Sequence, residues 1–130
     1  MIASRGTTIR AQLRSVAAVI EVSGTLRVDR TEALQTQLRR FVLLKSPLIL
    51  DLTCVVGASG ELLQRLLFPI EIDCSVSNVE LFVVVRHDLI DHVELQDGTE
   101  VVGSVGEALR TVVERIRERR NPAFFPGLLA

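Results

Sequence analysis

The chain contains 130 residues, and its 15 basic side chains nearly balance its 16 acidic ones, which gives a formal net charge of −1. Such a balance exerts no long-range attraction on nucleic acid or on an anionic membrane surface. Hydrophobic residues make up 48% of the chain, too large a share for a disordered protein, and neither Tyr nor Trp is present. We therefore expect one folded domain without an aromatic platform on which single-stranded bases could stack.

No segment of the sequence resembles a signal peptide or a membrane span. No uninterrupted apolar run exceeds the five residues of 81–85, whereas a membrane-spanning helix needs about 20. Two cysteines, Cys54 and Cys74, are too few for a disulfide framework. We expect a cytoplasmic protein that does not insert into a membrane.

Two strands are predicted near the N-terminus. Apolar and polar residues alternate over 7–14, which is the pattern of a half-buried strand. Residues 16–22 are nearly all apolar and rich in β-branched side chains, which favours a buried strand that Ser23 and Gly24 would end. The two segments could pair in antiparallel fashion.

The first helix is predicted to begin at Asp29. This side chain can cap a helix, and Glu32 three residues later completes the pattern of a capping box. Apolar residues recur at helical spacing as far as Val42, and Pro47 prevents the helix from continuing. Residues 48–53 then form another buried strand.

A second helix is predicted after the small-residue loop 57–60. Its apolar face consists of Leu62, Leu63, Leu66, Leu67 and Ile70. Pro69 falls inside this pattern, where it removes a backbone donor and clashes with the preceding turn. We therefore expect a kink or an early stop at Pro69.

Two further strands and two further helices complete the pattern. The strands are predicted at 79–85 and 100–102, and a short helix at 88–94 lies between them. Ser104 and Glu107 form a second capping box at the start of the last helix, whose apolar stripe is the cleanest in the chain.

The order of these elements is that of an α/β domain. Strands separated by helical crossovers imply a mixed, mostly parallel sheet of four to five strands, flanked by about four helices. We expect an N-terminal extension at 1–6, one domain at 7–117 and a C-terminal tail at 118–130. Phe124 and Phe125 in that tail could pack on the domain or cover a partner.

Three segments stand out in this pattern: the strand VIEVSGTL at 19–26, the strand LILDLT at 48–53 and the loop GASG at 57–60, placed at a helix N-terminus. Together they resemble the STAS domain, the family of bacterial anti-sigma factor antagonists. The resemblance extends over about 7–117. It implies a STAS-like α/β fold and a regulatory protein that binds another protein and is not an enzyme.

The phosphorylation loop departs from the family pattern. Active members carry Asp-Ser-Ser-Gly there, and a kinase-type anti-sigma factor phosphorylates the first serine. This chain has Gly57, Ala58, Ser59 and Gly60, so the aspartate is missing and Ala58 offers no hydroxyl to phosphorylate. Arg27 also stands where the family tends to carry an acidic residue.

Ser59 has two interpretations. A phosphate on its hydroxyl would lie at a helix N-terminus, where free backbone N–H groups and the helix dipole stabilise an anion. Without any modification, serine is a good N-cap residue. The second interpretation is the simpler one, and the sequence leaves both open.

The resemblance implies an anti-sigma factor antagonist that binds a kinase-type anti-sigma factor. We expect the contact to involve Arg27, Asp29, Ser59, Glu61 and Leu62. The alternative is a STAS accessory subunit of an ABC-type lipid transport ATPase, or a signalling scaffold unrelated to sigma factors. A homodimer through the apolar tail is also open, and we expect no cofactor, metal ion or nucleic acid.

Other chemistry has weaker support in the sequence. Cys54 and His87 follow neighbouring parallel strands, but no third group would orient them as a catalytic pair, and a buried cysteine with a solvated histidine is simpler. His87, Asp91 and His92 lack a fourth metal ligand. A redox switch through Cys54 and Cys74 would require an intermolecular bridge, because the second helix should hold them about 20 Å apart.

Overall fold

Six β-strands form one mixed sheet. A computed structural model describes residues 2–4 and 6–120 of the chain. The strands are β1 (Ile2–Ser4), β2 (Thr7–Leu13), β3 (Ala18–Thr25), β4 (Leu48–Val56), β5 (Leu81–Val84) and β6 (Thr99–Val102). They lie in the sheet in chain order, with two antiparallel pairs from β1 to β3 and three parallel pairs from β3 to β6. The predicted α/β class with a mixed, mostly parallel sheet is confirmed.

The sheet has one strand more than predicted, because β1 lies in the predicted N-terminal extension. Its three residues pair with residues 7–9 of β2. A strand this short contains too few residues to show the alternation by which longer strands are found. The sheet therefore begins before residue 7.

Three α-helices and three 3-10 helices accompany the sheet in the described residues. They are α1 (Thr31–Arg39), α2 (Gly60–Ser77) and α3 (Val105–Arg120), and the 3-10 helices Val28–Arg30, Arg40–Leu44 and His87–His92. The short helix predicted at 88–94 is the last of the 3-10 helices. Because α3 continues to Arg120, the predicted tail cannot begin at 118, and Phe124 and Phe125 lie outside the described residues. In the described ranges, no helix combines the length and the apolar character that crossing a membrane requires.

Two cores lie on the two faces of the sheet. Alternation along β3 and β4 directs Ile20 and Leu50 into the core shared with α1 and α2, and Val19 and Ile49 into the core shared with α3. All four side chains are buried. α1 and α2 therefore lie on the same side of the sheet, and each begins near the carboxyl end of the parallel strand that precedes it.

The chain enters α1 through a 3-10 turn, and Asp29 does not cap the helix. The N-cap of α1 is Arg30, whose side chain makes no capping hydrogen bond. The Asp29 carboxylate instead lies 3.3 Å from the Arg27 guanidinium. The Thr31 hydroxyl donates to the Arg27 carbonyl oxygen at 3.0 Å, which stabilises the turn without a capping box. The predicted capping box of Asp29 and Glu32 is therefore wrong.

The second predicted capping box is present at the start of α3. The Glu107 N–H donates to Ser104 Oγ at 3.1 Å, and the Gly103 N–H donates to the Glu107 carboxylate at 3.0 Å. Ser104 thus satisfies a backbone donor that the helix leaves free, and Glu107 binds the N–H of the residue before the N-cap.

The other end of α3 is fastened to the start of β5 by Glu80. This carboxylate accepts hydrogen bonds from Arg115 at 2.6 Å and from Arg119 at 2.7 Å. Arg115 also bonds to Glu100 and lies over the Phe82 ring, 5.6 Å from its centroid. Burial disfavours ionisation of Glu80, but the hydrogen bonds and charges of the two arginines outweigh it and hold the pKa of this carboxyl below its ordinary value.

α2 runs through Pro69 without ending, so the predicted early stop is wrong. The proline cannot donate to the Arg65 carbonyl oxygen four residues earlier. Gln35 of α1 takes over this role, because its side-chain N–H donates to the Arg65 oxygen at 2.8 Å and to the Leu66 oxygen at 3.3 Å. Leu66 and Ile70 are fully buried, so core packing and the bond from α1 together keep the helix continuous.

Gln35 and Pro69 are expected to be energetically coupled. Gln35→Ala should lower the free energy of unfolding by about 1 kcal/mol, because it leaves the Arg65 carbonyl without its donor. After Pro69→Ala, the new N–H can donate to that carbonyl, so Gln35→Ala should then cost roughly 0.3 kcal/mol. A double-mutant cycle measured by urea unfolding tests the coupling, with Gln37→Ala as a control whose effect should be the same in both backgrounds. Equal costs of Gln35→Ala in the two backgrounds would contradict the prediction.

Candidate functional site

Two loops leave the carboxyl ends of β3 and β4 side by side. Thr25 pairs with Val56 in the parallel ladder, and the Leu26 N–H donates to the Val56 carbonyl oxygen at 3.0 Å. The turn into α1 therefore starts next to the loop that leads into α2. In α/β domains, the carboxyl ends of parallel strands are the usual location of binding residues.

The loop 57–60 makes a sharp turn into α2. Gly57 has a φ of +76°, a left-handed conformation that glycine adopts without strain. Ala58 is half-buried and packs against the core below α1 and α2, whereas Gly60 is buried at the start of α2. Ser59 lies between them and is exposed. Ser59 therefore provides the one hydroxyl group of this loop.

Ser59 is the N-cap of α2. Its Oγ accepts a hydrogen bond from the Leu62 N–H at 3.1 Å, and its carbonyl oxygen accepts one from the Leu63 N–H at 3.0 Å. Glu61 is exposed in the first turn, where the positive end of the helix dipole stabilises a carboxylate. The hydrogen bonds of Ser59 are thus those of an unmodified N-cap residue. Phosphorylation of its hydroxyl stays a prediction.

The His87–His92 helix packs directly against the start of α2. A Cβ atom added at Gly60 would lie 2.1 Å from the His92 carbonyl oxygen, so the backbones approach each other more closely than any side chain allows. One turn later, the Gln64 side chain donates to the Glu94 carbonyl oxygen at 2.8 Å. The segment after β5 is thereby held beside the loop 57–60. Sequence reasoning missed this contact, because no local pattern records a pairing across 30 positions.

Four of the five predicted partner-binding residues lie on the surface at this edge of the sheet. Arg27 and Asp29 form an ion pair with both side chains more than half exposed, and Ser59 and Glu61 are exposed as well. Leu62 has only 9% of its surface exposed and belongs to the core, because its place in the first turn of α2 faces the sheet. Its side chain stabilises the fold and is not available to a partner.

Val28 and Val56 are exposed apolar residues at the same edge. Their exposed fractions are 66% and 57%. Sequence reasoning missed both: Val56 ends an apolar run that favours the core, and Val28 stands alone between two charged residues, Arg27 and Asp29. No sequence signal marks Val56, because the alternation in which Val55 is buried and Val56 is exposed is visible only in the structure. We refer to six exposed residues together as the loop edge: Arg27, Val28, Asp29, Val56, Ser59 and Glu61.

The two cysteines are free and differ in exposure. Cys54 is exposed, in contrast to the predicted buried cysteine, because a bulge between β3 and β4 shifts the register just before it. Cys74 is buried in α2, and this burial, together with the charges of Asp73 and Glu71, raises the pKa of its thiol to about 11. Little thiolate therefore forms at Cys74 near neutral pH, and a redox role for the two cysteines stays a prediction.

His87, Asp91 and His92 are all exposed in the 3-10 helix after β5. Among the residues that the structure describes, no three or more His, Cys, Asp or Glu side chains are grouped so that they could hold a metal ion.

A solved structure, of an anti-sigma factor antagonist from Mycobacterium paratuberculosis, is similar to this chain. The TM-score is 0.68, and the match covers 86% of this chain and 98% of the other at 20% sequence identity. The chain therefore has a STAS-type fold, the fold of an anti-sigma factor antagonist, as the resemblance of the two strands and the loop implies.

A relative is found by sequence in Mycobacterium tuberculosis (strain H37Rv). It is named osmosensory protein A and is 27% identical over an alignment of 123 residues, with 89% of this chain and 77% of that protein covered. No protein-family model matches the chain.

Proposed function

We propose that the chain is a STAS-type regulatory protein that binds an anti-sigma factor through the loop edge. The fold and the description of the similar solved structure support this assignment. The chemistry of the edge supports it as well, because it combines exposed apolar side chains with charges of both signs, as protein-binding surfaces commonly do. The proposed role is binding and not catalysis.

The observation that carries the proposal is the exposure of Val28 and Val56 beside the loop 57–60. Neighbouring apolar residues with a polar rim mark surfaces on which another protein packs. The chain has no Tyr or Trp, so aliphatic side chains must supply the desolvated centre of any interface here. Ser59 and Glu61 then contribute polar contacts at its border.

Ala58 makes the proposed antagonist independent of phosphorylation at the first serine position of the family loop. It has no hydroxyl, and its side chain is half-buried against the core. Ser59 keeps a hydroxyl, but its oxygen already accepts the Leu62 N–H as the helix cap. If Ser59 is not phosphorylated, binding persists in the presence of ATP; any control would otherwise act through Ser59, through a thiol or through the partner.

The proposal is tested by mixing the full chain with the kinase-type anti-sigma factors of its own organism, with and without ATP. We expect a complex by isothermal titration calorimetry that ATP does not dissociate. Val56→Asp should raise the Kd by about tenfold or more, because it buries a charge in the apolar centre. Leu13→Asp, at a residue of β2 that is 69% exposed, is the matched control and should leave the Kd unchanged. Absence of binding to every such factor would contradict the proposal.

The alternative proposal is a STAS accessory subunit of an ABC-type lipid transport ATPase. Two departures from the family pattern favour it: Gly57 replaces the aspartate of the phosphorylation loop, and the exposed Arg27 replaces an acidic residue. An accessory subunit of this kind requires no phosphoserine. Co-purification with an ATPase subunit, and with no regulator of a sigma factor, would support this alternative. The name of the sequence relative makes osmotic stress the first stimulus to apply to cells before the purification.

A further inference from the structure

The end of α2 borders a cavity of about 240 Å³. The last turns of α2 form one wall, and the residues that lead into β5 and β6 form the others. The cavity thus lies at the amino ends of the parallel strands, at the opposite edge of the sheet from the loop edge. It is smaller than sites for drug-sized ligands, which measure about 300–1,000 Å³, so it suits a ligand of few non-hydrogen atoms.

Glu71 is the only charged side chain that is buried among the described residues, with 5% of its surface exposed. Its Oε2 accepts both the Gln96 N–H and the Thr99 hydroxyl, whereas its Oε1 accepts no hydrogen bond from the described residues. In that part of the chain, Gln37 Oε1 is the one fully buried side-chain oxygen without a partner, so Glu71 Oε1 is not sealed in. Because Glu71 lines the cavity, its free oxygen is open to it.

The described residues provide no positive charge that compensates Glu71. A buried charge is ordinarily paired with an opposite one, because its removal from water is costly. Glu71 takes part in none of the ion pairs among these residues, and no Lys, Arg or His side chain lines the cavity. Asp97, an exposed residue of the wall, adds a second carboxylate. Glu80 also lines the cavity, but Arg115 and Arg119 neutralise it. The cavity therefore favours a cation.

The rest of the wall indicates which kind of cation. Val79 and Leu81 offer apolar surface, and Cys74 is a neutral thiol there, because burial raises its pKa to about 11. A metal ion would lack ligands, since no three His, Cys, Asp or Glu side chains are grouped for one in the described ranges. A primary ammonium brings three N–H donors of its own, and a short alkyl chain attached to it matches the apolar wall.

We propose that the cavity binds a primary alkylammonium group, with an N–H donated to Glu71 Oε1 and the alkyl chain packed against Val79 and Leu81. The ligand pairs the buried carboxylate and joins the end of α2 to the residues before β6. The inference goes beyond the proposed function, because it concerns the edge of the sheet opposite the loop edge.

NMR titration of the isotopically labelled full chain with n-butylamine at neutral pH tests the site. The backbone amide signals of Gln96 and Thr99 should shift with a Kd on the order of 1 mM, as expected for so small a ligand. Butan-1-ol has the same alkyl chain without the charge and should leave these signals in place. Nα-acetyl-lysine amide carries the same alkylammonium group. If it binds more tightly than n-butylamine, a lysine side chain of another protein supplies the group; if more weakly, a free amine does.

Three variants separate the buried charge from the fold and from the overall charge. Glu71→Gln keeps an oxygen for Gln96 and Thr99, and it should raise the Kd for n-butylamine about tenfold or more, because it removes the charge from the hydrogen bond. Asp97→Asn, at an exposed residue, should raise it about threefold. Glu114→Gln removes one negative charge from an exposed position of α3 and should leave the Kd unchanged.

Three results would overturn the proposal. The first is the absence of a shift at residues 96–99 when n-butylamine reaches about ten times the expected Kd. The second is an equal shift with butan-1-ol, which would mean that the charge is not recognised. The third is a Glu71→Gln variant that is folded by circular dichroism and keeps the native Kd.

Discussion

Replacing Gly60 with alanine is expected to lower the free energy of unfolding by about 3 kcal/mol, the upper end for overpacking. The added Cβ atom would lie 2.1 Å from the His92 carbonyl oxygen, so the His87–His92 helix must move away from α2. The better helix propensity of alanine offsets this by at most about 1 kcal/mol. Urea unfolding followed by circular dichroism measures the change. Binding of the proposed partner should weaken as well, because the displaced segment lies beside the loop 57–60.

Gly106→Ala is the matched control for this substitution. Gly106 also lies in the first turn of a helix, and the nearest atom to an added Cβ is Ser104 Oγ at 3.9 Å, an ordinary contact. Gly106→Ala should therefore be neutral or stabilising by up to about 0.5 kcal/mol. Similar effects of the two substitutions would mean that the approach of His92 is not the reason for a glycine at position 60.

Replacing Glu71 with leucine is expected to lower the free energy of unfolding by about 2–3 kcal/mol. Glu71 is only 5% exposed, and its carboxylate accepts hydrogen bonds from the Gln96 N–H at 2.7 Å and from the Thr99 hydroxyl at 2.8 Å. Each donor that loses its partner costs about 1–3 kcal/mol when water cannot replace it. The apolar side chain of leucine offsets part of this cost, because it removes the burial of a charge.

The amide of Glu71→Gln should restore part of this stability. Its oxygen can still accept a hydrogen bond, so the expected loss is about 1 kcal/mol. Thr99→Val removes one of the two donors and should cost a similar amount in the native background. In the Glu71→Leu background, Thr99→Val should cost much less, because its partner is already gone. A fully additive double mutant, measured by urea unfolding, would show that the carboxylate does not hold this segment.

The elements that local patterns encode could be predicted from the sequence. Alternation and apolar runs located β2, β3, β4 and β5, and the spacing of leucines located α2. The capping box of Ser104 and Glu107 was also predictable, because both partners lie within one turn. In each case, the residues that decide the structure are neighbours along the chain.

Features that depend on distant residues could not be predicted in this way. Whether α2 continues past Pro69 depends on Gln35, which lies on another helix and bonds to the carbonyl that the proline cannot serve. The start of α1 depends on a turn in which Asp29 pairs with Arg27 and leaves the helix uncapped by a side chain. Propensity rules treat each segment by itself and therefore miss both outcomes.

The candidate site was predictable in position but not in composition. The loop 57–60 is recognisable from its residues alone, because four small side chains separate an apolar strand from a helical stripe. The exposure of Val28 and Val56 and the burial of Leu62 appear only when the strands and helices are packed together. The surface therefore contains two apolar residues that the sequence did not single out, and it lacks Leu62, which was predicted both on the apolar face of α2 and in the partner contact.

The order of the strands has a consequence for how such a surface can change. β3 to β6 lie in the sheet in chain order, so the segments that follow β3, β4 and β5 form a row at one edge in the order in which they occur along the chain. Each of these segments can therefore be lengthened, shortened or exchanged separately, because the hydrogen bonds between the strands do not depend on the segments that follow them. Partner choice in this architecture can be altered one loop at a time, by natural variation or by grafting, while the rest of the row keeps its place.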